Sequence, residues 1–399
     1  MIRSSSRFRG ILEEICRILG YINPIIPKRK NKIFIFNSTP SYQNNFAMFN
    51  YLVDNNYNRK YQIYYNMPEV EKYVKKMDNV YISYGLAKAL YHYLTSSYIF
   101  FDTGNIRVKP SKNQFVMNLW HGVPFKSIGF LSKTVHKDLP RDLMNSFSKI
   151  IVPSKNMKEI YMDSFLLNNN QIFYAGQPRN DLLTIKKETL GLLGIDKKRY
   201  KKIIMWMTTY RISKDERLKH TSNTEWSSTN LPLLTDEKAV KQLNEELERL
   251  GILLIIKHHT TGKKAESTIL DTENIRVLDE NQILSKGLQL YEVLGNCDSL
   301  ITDYSSVFID YLLLNRPIGF IVDDIEDYNR NNGFNFSKPL EYMPGKHIKT
   351  LLELYRFLKI VVEEQDKYKI EREEKSNYFN EFQKENNRQY ILEQMGIKI

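Results

Sequence analysis

Short apolar runs alternate with helical periodicities along most of the chain. In the first half, these runs are rich in β-branched and aromatic side chains, and they are Ile33–Phe36, Tyr61–Tyr65, Val80–Ser83, Tyr98–Phe101, Phe115–Leu119 and Ile150–Val152. Runs of this length indicate buried strands, and the intervening Phe46–Val53 and Leu86–Leu94 have the period of helices. This half is predicted to be a three-layered α/β sandwich.

A second series of strands begins after residue 200. Its apolar runs are Ile203–Met207, Ile252–Ile256, Ile275–Leu278, Ser299–Thr302 and Ile318–Val322, and they alternate with helical stretches at Glu237–Leu250, Leu288–Leu294 and Val307–Leu314. The alternation predicts a second parallel, doubly wound sheet. The highly charged segment Lys346–Gln394 is predicted to be helical.

The length of the chain agrees with two domains. Its 399 residues exceed the roughly 250–300 at which a single hydrophobic core stops growing. We predict a membrane-proximal segment over residues 1–30, a Rossmann-like domain over 31–190 and a second Rossmann-like domain over 191–399. Two such domains suggest that the second binds a nucleotide-diphosphate donor and that the first binds the acceptor. A ligand site is expected in a central cleft where the two domains face each other.

Charge singles out the N-terminus. Residues 1–32 contain eight basic and two acidic residues, a net charge of +6 against +12 for the whole chain. Ile11, Ile15, Ile18 and Ile22 share one stripe of a predicted helix, which is shorter than the ~20 apolar residues that cross a bilayer. An amphipathic helix on an anionic membrane surface is predicted, and a helix docked on the protein's own surface is the alternative.

The two cysteines, Cys16 and Cys297, belong to no CxxC or Cys/His cluster. They indicate neither a disulfide framework nor a zinc site, and they agree with a reducing cytoplasm. No GxGxxG or GxxxxGK[ST] motif occurs, so a dinucleotide fingerprint and a P-loop are absent. No metal or other cofactor is expected.

His121 follows the predicted strand Phe115–Leu119 in the sequence Trp-His-Gly-Val-Pro. An imidazole at the carboxyl end of a strand can remove a proton from an attacking hydroxyl near neutral pH. A histidine that only stabilises the Gly122/Pro124 turn is the alternative. The position at a strand end favours a catalytic base.

Polar residues also follow the predicted strand Ser299–Thr302. Asp303, Ser305 and Ser306 precede a helix that contains Asp310. Free N–H groups and hydroxyls at a helix start suit a phosphate, whereas an ordinary helix cap by Asp303 or Ser305 is the alternative. The two interpretations stay open.

Cationic groups end two further strands of the second half. Lys257, His258 and His259 follow Ile252–Ile256, and Arg211 follows Ile203–Met207. Such groups can stabilise the charge of a diphosphate as its bond breaks. Adjacent histidines also suggest a metal site as an alternative. Because HxxxH and HExxH spacings are absent, no metal site is predicted.

Two charged turns are weaker candidates. Gly176–Asp181 includes Arg179 and Asp181, which are predicted either to contact a phosphate or to form a turn with solvated charges. Asp323 and Asp324 follow a strand in an acidic loop, and solvated charges are favoured there over a metal site.

Taken together, these motifs resemble the CDP-glycerol glycerophosphotransferase family, the teichoic-acid primases and polymerases. The resemblance lies in Trp120–Gly129, Gly176–Asp181, Lys257–His259, Thr302–Asp310 and Arg316-Pro317, and it covers roughly residues 32–340. It implies a GT-B-like fold, peripheral association with the cytoplasmic face of the bacterial membrane, and metal-independent transfer of glycerol phosphate.

The resemblance also implies roles for individual residues. His121 would act as the base on the acceptor hydroxyl, and His259 and Arg211 would contact the donor phosphates. The chain departs from the family pattern in reading Thr-Thr-Tyr before Arg211 and Thr260 after His259. These departures leave open a different donor, such as CDP-ribitol.

The predicted function is therefore transfer of an alditol phosphate from a CDP-alditol to a lipid-linked or polymer acceptor in teichoic-acid or capsule-type polymer synthesis, with release of CMP. A GT-B glycosyltransferase that uses a nucleotide sugar is the alternative enzyme. A basic protein that binds nucleic acid or an anionic membrane without catalysis is a third hypothesis. Nucleic acid is not expected as a partner, because no aromatic-interleaved basic patch is recognised outside the N-terminus.

Overall fold

The chain folds into two units with separate parallel sheets. The computed structural model describes residues 6–38, 41–133, 146–207, 229, 231–257 and 271–399. The first unit comprises Met1–His121, His136–Asp181 and Glu381–Ile399, and the second comprises Gly122–Val135 and Leu182–Asn380. The domain limits after residues 30 and 190 stay predictions, and the limit after 190 differs from these units in the segments 122–135, 182–190 and 381–399.

The sheet of the first unit has seven parallel strands in the order β3-β2-β1-β4-β5-β6-β7. The strands are β1 Arg29–Phe36, β2 Gln62–Asn66, β3 Val80–Ile82, β4 Ser96–Phe101, β5 Phe115–Asn118, β6 Lys149–Val152 and β7 Ile172–Tyr174. The chain first adds strands on one side of β1 and then continues from β4 on the other side. The switch point of this sheet, where the winding reverses, therefore lies at β1 and β4.

The sheet of the second unit has six parallel strands in the order β10-β9-β8-β11-β12-β13. The strands are β8 Lys202–Met207, β9 Ile252–Lys257, β10 Ile275–Leu278, β11 Ser299–Thr302, β12 Ile318–Ile321 and β13 Lys346–Ile348. Its winding is the Rossmann order 3-2-1-4-5-6, with the switch point at β8 and β11. The predicted fold of two doubly wound, Rossmann-like sheets is confirmed.

Helices connect the strands of both sheets. The described α-helices are α1 Ser6–Ile22, α2 Asn44–Asp54, α3 Leu86–Thr95, α4 Lys158–Phe165, α5 Thr189–Leu192, α6 Glu237–Leu250, α7 Glu280–Ser285, α8 Leu290–Leu294, α9 Val307–Tyr311, α10 Ile325–Asn331, α11 Leu351–Val362, α12 Lys369–Phe379 and α13 Asn387–Gln394. The long α6 begins at Asp236, whose side chain accepts a hydrogen bond from Ala239 N, and ends at Gly251 with φ +70°. Both are the ordinary chemical signals of a helix start and stop.

The central strands carry continuous apolar runs, such as Ile33–Phe36 of β1 and Ile203–Met207 of β8, because helices cover both faces of each sheet. Ile33, Phe34 and Ile35 of β1 are fully buried, as are Ile204 and Trp206 of β8. In the second unit, α6 and α11 pack on one face, where Leu243, Leu354 and their neighbours join the core. The apolar runs therefore mark the core strands directly.

The two strands that the sequence analysis missed are both edge strands. β7 and β13 have three residues each and lie at the ends of their sheets. The apolar run of β7, Ile172–Tyr174, has only three residues, all partly buried, and β13 begins with the polar Lys346 and His347. The prediction of helix from residue 346 is wrong for β13, since so short a strand carries no periodicity.

The N-terminal helix α1 is anchored to its own unit and also exposes apolar side chains. Glu13 pairs with Arg107 at 3.2 Å, and Asn23, just after the helix, donates to Gln114 Oε1 at 2.7 Å. Ile18, Tyr21 and Ile25 are 53, 79 and 80% exposed. In the described part of the chain, no helix is both long and apolar enough to cross a membrane.

Candidate active site

His121 stands in a turn of unusual backbone conformation at the carboxyl end of β5. Trp120 has φ +51° and Gly122 has φ +143°. A positive φ is uncommon for a bulky aromatic residue and costs about 1–3 kcal/mol, so surrounding contacts must hold it. Asn118 Oδ1 accepts from Trp120 N at 2.9 Å. The turn leaves the imidazole of His121 exposed.

The hydrogen-bond partner of one ring nitrogen fixes the tautomer of His121. Nδ1 lies 2.9 Å from the main-chain carbonyl oxygen of Asp102, which follows β4. Because a carbonyl oxygen can only accept, Nδ1 must carry the hydrogen, and in the neutral ring Nε2 then carries the lone pair. The Trp120 ring lies 4.0 Å from the imidazole centroid. The arrangement suits a general base that accepts a proton at Nε2.

The side chain of Asn44 holds the backbone beside His121. Its Nδ2 donates to Trp120 O at 2.7 Å and to Leu119 O at 3.2 Å, and its Oδ1 accepts from Arg179 N at 3.1 Å. Asn44 is fully buried at the start of α2. It therefore joins the turn of His121 to the loop of Arg179.

Arg179 is buried and serves the same turn. The side chain is 3% exposed, and its Nη1 donates to His121 O at 3.1 Å and also to Gln43. The structure places Arg179 beside His121 within the first unit.

Asp181 holds the C-terminal segment of the first unit. Oδ1 accepts from Asn387 N and Nδ2, and Oδ2 accepts from Arg388 N and Nε, all within 3.0 Å. Burial raises the pKa of this carboxyl, while these donors oppose the rise. A Cβ at Gly176 would come within 2.3 Å of Asn387 Oδ1. The Gly176–Asp181 motif is thus explained in large part by packing against residues 381–399.

The residues after His121 belong to the second unit. The Phe125 ring packs against Phe308 at 5.1 Å and Phe336 at 5.4 Å. Asn335 Nδ2 donates to Pro124 O at 2.8 Å and to Lys126 O at 3.0 Å. The second half of the Trp120–Gly129 motif is therefore a packing element in that unit.

In the second unit, a buried carboxylate supports the loop of two partly exposed serines. Asp303, fully buried after β11, accepts from Ser305 N at 3.1 Å. Asp310, also fully buried, accepts from Tyr291 Oη at 2.6 Å. Ser305 and Ser306 are half-buried, and within the described chain Ser306 makes no side-chain capping hydrogen bond to α9. The two hydroxyls are therefore the polar groups of this loop that a ligand can reach.

Lys257 ends β9 in a buried ion pair. Its Nζ lies 3.1 Å from Glu280 Oε2, and the two side chains are only 6 and 11% exposed. Breaking such a pair leaves a buried charge without compensation. The predicted donor-binding residues Arg211 and His259 lie outside the described residues.

Asp324 also differs from its predicted solvated state. It accepts a hydrogen bond from Tyr304 Oη at 2.9 Å, whereas Asp323 is exposed. Among the residues that the structure describes, no group of three His, Cys, Asp or Glu side chains is arranged to hold a metal ion.

Comparison with known proteins decides the family. The sequence model of the CDP-glycerol:poly(glycerophosphate) glycerophosphotransferases matches residues 20–395, nearly the whole chain. The chain belongs to this glycerophosphotransferase family. The family predicted from the motifs is confirmed, and with it the predicted class of enzyme, a transferase of the CDP-glycerol type.

Several curated relatives act in teichoic-acid synthesis. The chain is 28% identical over 363 residues to a teichoic acid poly(glycerol phosphate) polymerase of Bacillus spizizenii, which covers 86% of this chain and 87% of the relative. It is 26% identical over 342 residues to the teichoic acid ribitol-phosphate polymerase TarL of Staphylococcus aureus, covering 82% and 56%. The chain spans only about half the length of several such relatives.

Solved structures support the fold of this glycerophosphotransferase. The H444N variant of the wall teichoic acid polymerase TagF superposes with a TM-score of 0.71 at 20% identity, over 96% of this chain and 93% of TagF. The Staphylococcus aureus MnaA–UDP structure matches with a TM-score of 0.50 at 9% identity, over 93% and 98%. Both likenesses concern the fold alone.

Sequence analysis missed the polar residues that hold His121. These are Asn37, Asn44, Asn45 and Asp102. A signal was present, since Asp102 directly follows the apolar run Tyr98–Phe101 and Asn44-Asn45 precede a predicted helix. Their mutual contacts depend on β1, β4 and β5 being neighbours, which the order of the chain does not reveal.

Proposed function

We propose that this chain transfers glycerol phosphate, or the related ribitol phosphate, from a CDP-alditol to a lipid-linked or polymer acceptor and releases CMP. The product would be a teichoic-acid or capsule-type polymer. The observation that carries the proposal is His121, an exposed imidazole whose Nδ1 is engaged at 2.9 Å by Asp102 O, in a chain that the family model matches over residues 20–395.

In the proposed reaction, His121 is the catalytic base. An acceptor hydroxyl gives its proton to Nε2 while its oxygen attacks the phosphorus bonded to the alditol. The bond from that phosphorus to the CMP oxygen breaks, so the alditol phosphate becomes a phosphodiester of the acceptor. The bond pair leaves with CMP, and the imidazolium later returns its proton to solvent.

The second unit is proposed to bind the donor. Ser305 and Ser306 offer partly exposed hydroxyls to the diphosphate, and Asp303 holds their loop through a buried hydrogen bond. Asp310, in the following helix, accepts from Tyr291 Oη. We assign Arg211 and His259 to the phosphates from the family resemblance. Lys257, proposed from the sequence as a donor contact, ends β9 with its charge paired to Glu280.

Arg179 and Asp181, proposed from the sequence as contacts to a phosphate, have partners inside the first unit. Arg179 donates to His121 O, and Asp181 pairs with Arg388. These contacts favour support of His121 and of the C-terminal segment as their role in the reaction.

We also propose that the first unit lies on the cytoplasmic face of the membrane. Ile18, Tyr21 and Ile25 expose apolar surface beside a basic N-terminal segment, a combination that anionic lipid attracts. Two of the eight basic residues in segment 1–32 have partners or positions inside the protein. Lys32 is fully buried, and Lys28 Nζ donates to Leu94 O at 2.6 Å. The apolar side chains therefore provide much of the proposed attraction.

The test is turnover by the purified chain. CDP-glycerol and CDP-ribitol are each supplied with teichoic-acid primer lipids or short polymer acceptors, and nucleotide products are separated. Acceptor-dependent release of CMP is expected. Release of a nucleoside diphosphate from a nucleotide sugar, without CMP from either CDP-alditol, would replace the proposal with the glycosyltransferase alternative.

A further inference from the structure

The fully buried carboxylate of Asp102 ties the end of β4 to the neighbouring strand β1. Oδ1 accepts from Asn37 Nδ2 at 3.0 Å and from Thr103 Oγ1 at 3.2 Å. Asn37 directly follows β1. Asp102 therefore stands at the switch point of the first sheet, where ligands of doubly wound folds bind.

The same carboxylate also holds the start of α2. Oδ2 accepts from Asn45 N at 2.9 Å, one of the N–H groups that lack a partner within the helix. Asn45 Nδ2 donates to Phe36 O at 2.8 Å and to Asn37 Oδ1 at 2.6 Å. The peptide that offers its carbonyl to His121 is thus fixed from two elements.

Asn44, the preceding residue of α2, holds the other side of His121. Its amide donates to Trp120 O at 2.7 Å, in the residue with φ +51°. Such a backbone conformation persists only where neighbouring contacts over-determine it. Two adjacent residues of one helix start therefore connect to both the ring partner and the backbone of His121.

We propose that Asp102 and Asn44 are positioning residues that set the ring orientation and the tautomer of His121. The inference rests on the proposed function, in which His121 Nε2 accepts the acceptor proton. Neither side chain touches the reacting atoms. Asp102 acts through its own carbonyl and Asn44 through the Trp120 peptide, so that Nδ1–H stays engaged and Nε2 stays basic.

The charge of Asp102 agrees with this role. Burial raises its pKa to about 6, against hydrogen bonds from Asn45, Thr103 and Asn37 and the nearby charge of Arg179. At neutral pH the group is largely ionised despite its burial, and in that form it accepts hydrogen bonds at both oxygens.

Two variants test the inference in the full-length chain. Asp102→Asn keeps the shape of the side chain but places an amide N–H where the carboxylate now accepts hydrogen bonds. Asn44→Ala removes the hydrogen bonds to Leu119 O and Trp120 O. The control is Asn58→Ala, another buried asparagine of the first unit, which donates to Asp78 O at 2.9 Å near the amino ends of β2 and β3.

With CDP-glycerol and acceptor, both variants should lose about 10- to 100-fold in kcat, by analogy with changes to the partners that orient metal-ligating histidines. The donor KM should stay within about twofold, since the donor contacts are assigned elsewhere. Asn58→Ala and Asn44→Ala should both melt at a lower temperature than the wild type, but Asn58→Ala should keep its kcat. Normal kcat in both test variants would overturn the inference.

The ring ¹⁵N chemical shifts of His121, assigned by comparison with His121→Ala, give a readout without turnover. The wild type should carry its proton on Nδ1 in the neutral ring, and the two variants should shift toward a mixture of tautomers. A neutral wild-type ring protonated on Nε2 would refute the inference even if a variant fails to fold. Absence of CMP release by the wild type would instead refute the proposed function.

Discussion

At the switch point of the first sheet, buried Asp102 and Asn44 hold one exposed imidazole. At the switch point of the second sheet, buried Asp303 supports the loop of two half-buried serines. Both sites follow the carboxyl ends of parallel strands. In the first, the contacts join residues that follow β1, β4 and β5 to the start of α2. In the second, Asp303 bonds to the amide two residues later.

The difference matches two kinds of chemistry. A general base must present one nitrogen in one direction, so its ring needs partners from several elements. A diphosphate has many acceptor oxygens, and it can be bound by adaptable hydroxyls and N–H groups of a single loop. The first site should therefore govern turnover and the second should govern donor affinity.

The largest effect is expected from His121→Ala. Loss of the base should lower kcat by about 100- to 10,000-fold and leave CDP-alditol binding nearly unchanged. The matched control is His347→Ala, since His347 Nε2 contacts Met343 O at 3.0 Å in the second unit, apart from the assigned residues. Steady-state kinetics and donor titration distinguish the two. Near-normal turnover of a folded His121→Ala would make His121 structural.

Next in size is the buried ion pair of the second unit. Glu280→Gln leaves Lys257 buried without its carboxylate, which should lower the free energy of unfolding by about 3–5 kcal/mol. Glu341→Gln removes an ion pair of almost the same length, 3.0 Å to Lys338, whose side chains are 63 and 73% exposed. Denaturant titration should show little change for this control. Equal losses in both variants would mean that burial of the pair does not matter.

The pH dependence of kcat tests the role of Asp102 at the first site. The folded-state pKa of Asp102, about 6, lies above its ordinary value of 3.8, so acidification protonates this carboxyl early in the folded protein. Below about pH 6, kcat should fall more than about tenfold per pH unit, and Asp102→Asn should restore a slope of about tenfold. If kcat of the wild type falls only about tenfold per pH unit, protonation of Asp102 does not affect turnover.

A smaller effect is expected from the paired change Ser305→Ala and Ser306→Ala. Loss of hydroxyl bonds to a charged diphosphate should raise the donor KM at least about tenfold, with kcat less affected. The exposed Ser285→Ala, whose hydroxyl donates to Gln282 O at 2.9 Å, is the control. A large drop in melting temperature with an unchanged donor KM would support the helix-cap interpretation.

The smallest effect concerns the membrane. Replacing Ile18, Tyr21 and Ile25 with Ser should weaken sedimentation with anionic vesicles about five- to tenfold, because exposed apolar side chains are lost. Leu352→Ser with Ile370→Ser, at positions 59 and 71% exposed in the second unit, is the control. If both sets of substitutions weaken vesicle binding equally, the N-terminal surface is not the membrane contact.

The sequence predicted most strands and the polar groups at their ends, but it did not predict how these groups are used. His121 and the Ser305-Ser306 pair are visible because each follows an apolar run. Arg179 and Asp181 were candidates for a ligand, whereas their hydrogen bonds go to His121 O and to residues 387–388. Those partners lie 58 and more than 200 residues away in the chain, which no local pattern reveals.

By itself, the sequence determined the two sheets, because burial on both faces requires apolar strands of recognisable length. It also determined the family, through motifs that recur in order over most of the chain. Only the tertiary structure decided that β4 lies beside β1 and β5, and hence that Asp102 meets Asn37, Asn45 and His121. Strand order depends on long-range packing and winding, so the partner that selects a nitrogen of His121 emerges only in the folded chain.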